Sequence, residues 1–258
     1  PTDLDADFAY ALKDCGRFRV NAFCQRGNYG IVMRHIPPEV KSIDELLLPK
    51  SLKEIAGLPR GLVLVTGATG SGKSTTLAAM INHINEDRPC HILTIEDPIE
   101  FTFEEKKALI NQREVGHDTR SFPQALRQAL RQDPDVILIG ELRDLETMET
   151  ALHAAETGHL VFSTLHTVDA METISRVIGL FPPHQQQQVR LQLSSILKGV
   201  ISQRLVRTSD GGRAAACEIM VGTEFIRELI ADPGRTHEIP SVIKQGGDTY
   251  GMQSFDQA

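Results

Sequence analysis

Lys73 and Ser74 close the stretch "GATGSGKST", in which Gly67, Gly70 and Gly72 alternate with small residues. Glycines leave the backbone N–H groups free to wrap a ligand, and a lysine at the end of such a turn adds a positive charge. Gly67, Gly72, Lys73 and Ser74 fit G-x-x-x-x-G-K-[ST], with Thr69, Gly70, Ser71 and Thr75 completing the loop. The chemistry that needs this pattern is the binding of a nucleoside triphosphate. Backbone amides and a helix N-terminus would hold the phosphates, Lys73 would reach the β- and γ-phosphates, and the Ser74 hydroxyl would hold Mg²⁺. The bland alternative is an ordinary glycine-rich strand-to-helix turn, against which the flanks on both sides speak.

Two acidic stretches follow. "HILTIEDPIEF" puts Glu96, Asp97 and Glu100 just past an apolar run, and Glu100 is the expected carboxylate that orients and activates an attacking water. "DPDVILIGELRD" is a second apolar run ending in an acid, with Gly140 where an aspartate usually supports Mg²⁺. Glu141 is then expected to take the metal side together with Ser74, acting through a bound water. Arg127 and Arg131, four apart in "ALRQALRQ", would share one helical face and meet a phosphate or another subunit's acids, or simply form surface salt bridges. In "AETGHLVFSTLHT", His159 opens a strand, as a further candidate for an inter-subunit or phosphate contact, and His166 closes it. His166 is the better placed to sense a γ-phosphate, although a lone histidine is more often a hydrogen-bonded bystander.

These residues need a scaffold that brings loop ends together. The run Leu62-Val63-Leu64-Val65 reads as a buried strand, and Leu77, Met80, Ile81 and Ile84 fall at helical spacing behind the glycines. Strands are expected near 62–66, 91–96, 135–140, 159–165 and 217–221. Helices are expected near 73–85, 121–131, 144–156, 169–178 and 185–200. Such alternation predicts an α/β fold with a mostly parallel central sheet, whose ligand crevice lies beyond the carboxyl ends of the strands. Ahead of it, residues 37–60 read as a proline-punctuated linker, and "GRFRVNAFCQRGNYGIVMRHI" as two strands and a turn.

The chain's 258 residues suffice for a sizeable core. A net charge of −7 disfavours broad contact with a nucleic-acid backbone. The four cysteines, Cys15, Cys24, Cys90 and Cys217, form no C-x-x-C pair, which suits reduced thiols rather than a zinc module. No apolar stretch approaches the ~20 residues that span a bilayer. A cytoplasmic protein is the expectation.

Taken together, the motifs closely resemble those of the secretion-type hexameric ATPases, and within them the pilus-retraction (twitching motility) branch. "GATGSGKST" looks like that family's Walker A motif, "ILTIEDPIEF" like its aspartate box, "VILIGELRD" like its atypical Gly-Glu Walker B, and "TGHLVFSTLHT" like its histidine box. The resemblance implies a RecA-like P-loop ATPase domain at 61–258, with its C-terminal end truncated. It also implies that 1–36 are the remainder of a PAS-like α+β domain. Arginines at the places of Arg19 and Arg34 would reach from that domain to the γ-phosphate, with Arg17, on the same strand face as Arg19, as the alternative contact.

As partners the resemblance implies a homohexameric ring, the pilus machinery and an inner-membrane platform protein, with the ring peripheral to the inner membrane at the pilus base. The cofactors would be ATP and Mg²⁺, and no nucleic acid is expected. A pilus-assembly or type II secretion ATPase is the alternative, although such relatives usually carry a paired-cysteine module that is missing here. "SVIKQGG", with Ser241 and Lys244, departs from the usual retraction form. From another class, a RecA-like DNA translocase shares the fold.

Overall fold

The computed structural model describes residues 4–12, 16–36, 39–209 and 211–258, so Cys15 and the Pro37-Pro38 pair of the expected linker lie outside the described residues. The chain opens with three antiparallel strands, β1 (Asp5–Leu12), β2 (Gly16–Gln25) and β3 (Asn28–Ile36), in the order β1-β2-β3. The sequence pattern anticipates two of them. It does not reveal β1, where Phe8, Tyr10 and Leu12 alternate with small and acidic residues.

Next come α1 (Ser51–Ala56), β4 (Gly61–Thr66), α2 (Lys73–Asp87), β5 (His91–Glu96), β6 (Leu109–Glu114), α3 (Phe122–Ala129) and β7 (Val136–Ile139). The chain continues through α4 (Leu145–Glu156), β8 (Leu160–Leu165), α5 (Ala170–Gly179), α6 (Gln186–Ile196), β9 (Leu197–Arg207) and β10 (Arg213–Val221). It closes with α7 (Glu224–Ala231), a 3₁₀ turn at Thr236–Glu238, α8 (Ile239–Gln245) and the short α9 (Gly247–Tyr250). The seven strands β4–β10 form one sheet in the order β10-β9-β4-β8-β7-β5-β6, parallel throughout except for β10 against β9. The expected α/β fold with a mostly parallel central sheet is present.

Both faces of the sheet are covered, which is why its strands read as continuous apolar runs. Leu62 and Leu64 of β4 face a cluster with Leu126, Met148, Ile174 and Leu193 from α3 to α6. Val63 and Val65 face the other way, onto Met80 and Ile81 of α2 and Leu52 and Ile55 of α1. The segment expected to be a linker is therefore well packed from Ile43 onward: Ile43, Leu52 and Ala56 are buried in that second cluster.

The helix expected at 185–200 ends at Ile196, and Leu197 starts β9 at once. The mostly apolar stretch Leu197–Ile201, broken by Lys198, fits either element by periodicity. Its place between β10 and β4 decides for a strand. Strand β6 also escapes the sequence pattern, because four of the six residues of "LINQRE" are polar and it lies at the sheet edge.

The sheet order sets up the site. In the row β4-β8-β7-β5, the carboxyl ends deliver Gly67 onward, His166, Gly140-Glu141 and Glu96-Asp97 to the same edge. Four sequence motifs that are up to a hundred residues apart thus become neighbours.

Candidate active site

At that edge lies a cleft of about 590 Å³, lined among others by Thr69, Gly70, Gly72, Lys73, Ser74, Thr75, Glu100, Glu141 and His166. Helix α2 begins at Lys73 without a side-chain cap, whereas α3, α4, α5 and α7 are capped by Ser121, Asp144, Asp169 and Thr223. Its first-turn amides are therefore left for a ligand. Gly72 holds a left-handed φ of 92°, and a Cβ on Gly67 (φ 140°) would lie 2.4 Å from the Gln203 carbonyl oxygen. Only glycine fits that close approach.

The loop is held from beneath by β9. Gln203, buried, donates from Nε2 to the Ser71 carbonyl at 2.9 Å and accepts at Oε1 from the Thr76 hydroxyl at 2.8 Å. Sequence reasoning does not find this brace, although a glutamine inside the apolar run "GVISQRL" was the available signal. Replacing it by alanine strands two buried polar groups, a loss of about 1–3 kcal/mol. Gln203→Ala should therefore lower the Tm by about 2–12 °C in a thermal melt. An unchanged Tm would mean that the loop supports itself.

Lys73 is buried, and its Nζ donates back to the carbonyls of Gly67 at 2.8 Å and Ala68 at 3.0 Å. Burial pulls its pKa below the ordinary lysine range, and the charges of Glu141 and Glu100 pull it up again. A phosphate group would supply the anion that this ammonium lacks, so the residues present suit a polyphosphate. Ser71 and Gly67 belong to the loop but lie behind its open face. Ser71 is buried, and its hydroxyl has no partner among the described residues.

Glu141 sits between Arg143 and His166. Its Oε1 pairs with Arg143, and its Oε2 lies 3.7 Å from His166 Nε2. At Gly140, where an aspartate is usual, a Cβ would make ordinary contacts, 3.4 Å from Ile95 O and 3.5 Å from Glu96 Cα. The strand ends are tied to one another, with the Thr164 hydroxyl donating to the Gly140 carbonyl and that of Ser163 to Ile139, both at 2.7 Å.

Glu96 also lines the cleft, but its carboxyl is engaged by Thr94 Oγ1 at 2.7 Å and Gln112 Nε2 at 3.1 Å, and burial raises its pKa against those hydrogen bonds. It supports the strand end. Glu100 is the acid set in the cleft wall, after the cis peptide bond between Asp97 and Pro98.

Arg19 and Arg34 stand directly opposite each other on β2 and β3, and both line the cleft. Together with Pro98, Ile99 and Glu100 they also bound a smaller cavity of about 120 Å³. Arg17, the alternative contact, points instead to Glu114, with Nη2 2.9 Å from Oε2.

Three sequence candidates stand apart from the cleft walls. Arg127 pairs with Glu146 on the surface, and Arg131 lies exposed beyond the end of α3, so the shared helical face does not extend to it. His159 precedes β8 at its amino end, opposite the cleft, and its Nδ1 lies 2.9 Å from the Ala154 carbonyl. Besides Gln203, the unanticipated neighbours of the cleft include Arg143, Phe103, Leu205 and Arg213.

The chain matches the model of the type II/IV secretion system protein family over residues 5–237. It is 54% identical over 253 residues to the type IV pilus retraction ATPase PilT of Pseudomonas aeruginosa, covering 98% of this chain and 73% of that protein. It is also 54% identical over 257 residues to a twitching motility protein of Neisseria gonorrhoeae, covering 99% and 68%. Among solved structures it is similar to the pilus retraction motor PilT with bound ADP, at 50% identity and a TM-score of 0.93, covering 99% of this chain and 72% of that one. With the four motifs gathered at one sheet edge and this match spanning nearly the whole chain, the protein belongs to the type II/IV secretion system protein family.

Proposed function

We propose that this chain is the subunit of a homohexameric, Mg²⁺-dependent ATPase that powers type IV pilus retraction. The observation that carries the reading is the convergence of Lys73, Glu100, Glu141 and His166 in one cleft, faced by Arg19 and Arg34 of the three-stranded sheet. The 54% identity to a pilus retraction ATPase over 98% of the chain supports the direction of force. In this reading 61–258 form the ATPase domain, 1–36 belong to a PAS-like domain and 37–60 join them. The ring works from the cytoplasm at the base of the pilus, against a platform protein of the inner membrane.

The roles follow from chemistry. The amides of Gly70 and of Gly72 to Thr75 and the Lys73 ammonium would hold the phosphates, and Ser74 and Glu141 would hold Mg²⁺, Glu141 through water. The ion would supply positive charge against the phosphate oxygens. Glu100 accepts the proton of the attacking water, and His166 beside Glu141 senses the γ-phosphate. Arg19 and Arg34 offer rigid forks of donors to that same group, a contact that hydrolysis releases, so that chemistry becomes movement between the two sheets.

Arg19→Ala and Arg34→Ala should keep ADP affinity and lose hydrolysis, by about 10³-fold if they act as arginine fingers do. Turnover and ADP binding measured side by side check this, and wild-type rates would make both arginines surface residues. The direction of force is tested by deleting the gene and scoring surface pili. A retraction motor leaves an excess of pili, whereas bald cells would assign the chain to assembly.

A further inference from the structure

Glu114, the last residue of β6, is 5% exposed and is not among the cleft walls, yet it touches both sides of the proposed motor. Its Oε2 accepts from Arg17 Nη2 at 2.9 Å and from the backbone N–H of Ile99 at 3.0 Å. The first donor belongs to the three-stranded sheet, and the second to the residue just before Glu100. The backbone of Glu114 is fixed, its N–H donating to Asp118 Oδ2 and its carbonyl accepting from the Asp118 N–H, both at 2.8 Å. On the other side, the buried Nε of Arg17 finds no partner among the described residues, so the bond to Glu114 carries this anchor.

We infer that Glu114 is a positioning residue that makes the placement of Glu100 depend on docking of the N-terminal sheet. The inference rests on Glu100 being the base proposed above. While Arg17 is docked, a charge-assisted bond fixes the carboxylate, and the same oxygen holds the Ile99 amide. When Arg17 withdraws, the buried carboxylate loses its charge partner and turns to other donors, such as His117 Nε2, 3.6 Å from Oε1. The Ile99 amide is then released and Glu100 leaves its attacking geometry, where a shift of about 1 Å costs about 10²-fold in rate. Hydrolysis is thereby confined to the docked state, independently of any arginine contact with phosphate.

The test is steady-state MgATP hydrolysis together with ADP binding by the purified protein, for Arg17→Ala, Glu114→Gln, the double variant and Arg17→Lys, with Glu100→Gln alongside. Each single variant should lower kcat about 10- to 100-fold with ADP affinity unchanged. The double variant should be no worse than the worse single, because both remove one linkage. Arg17→Lys should regain part of the rate. Wild-type kcat in both singles beside an inactive Glu100→Gln overturns the inference, as do multiplicative losses in the double variant. A fall in ADP affinity in step with kcat would mark plain structural damage and also overturn it. Should Glu114→Gln fail to fold, Arg17→Ala decides by the same criteria, with Arg17→Lys as its rescue. Normal turnover in Glu100→Gln would remove the base itself, and this inference with it.

Discussion

Lys73→Ala is expected to abolish turnover, with a fall of at least about 10²–10³-fold, the cost of losing one preorganised donor at a site of developing charge. The ammonium stands at the start of α2 in the wall of the cleft, buried and hydrogen-bonded only to the carbonyls of Gly67 and Ala68 among its described contacts. Those hydrogen-bond partners are neutral, and burial lowers its pKa against the raising charges of Glu141 and Glu100. A phosphate brings the missing anion, so binding and catalysis draw on the same group. Alanine keeps the helix, for which it is the best former, and removes the charge. The measurement is MgATP hydrolysis with a circular dichroism control for folding. A folded variant with normal turnover would take the phosphate site away from this loop.

Glu100→Gln should bind ATP with Mg²⁺ and hydrolyse it about 10²–10⁴-fold more slowly. The amide keeps the shape of the side chain and loses the lone-pair basicity that removes a proton from water. Glu141→Gln should behave differently. Its carboxylate is shared between Arg143 and His166, next to the loop that carries Ser74, so its loss should raise the Mg²⁺ concentration needed for half-maximal rate. Magnesium titrations of both variants separate the roles. If Glu100→Gln shifted the Mg²⁺ dependence while Glu141→Gln lost turnover alone, the two assignments would have to be exchanged.

Much of this site was legible in the sequence because local patterns fixed it. Gly67, Gly72, Lys73 and Ser74 form a contiguous loop, and the runs before Glu96 and Gly140 are buried on both faces, so they read as central strands. What remained hidden depended on contacts between distant segments. Gln203 braces the phosphate loop from 132 residues away, and nothing in "GVISQRL" says that β9 lies beside β4. The sequence favours Arg19 over Arg17 without separating them by face, because both share one. Arg19 lines the cleft, while Arg17 turns to Glu114, 97 residues away. His159 belongs to the same stretch as His166, but six strand residues carry it to the far end of the sheet, away from the cleft.

The central claim is that hydrolysis in this cleft drives pilus retraction, and watching labelled pili on living cells tests it most directly. In cells lacking the gene, expression of the wild-type chain should restore shortening of extended fibres, while Glu100→Gln, expressed at the same level, should leave them extended. Retraction at normal speed with Glu100→Gln would contradict the account.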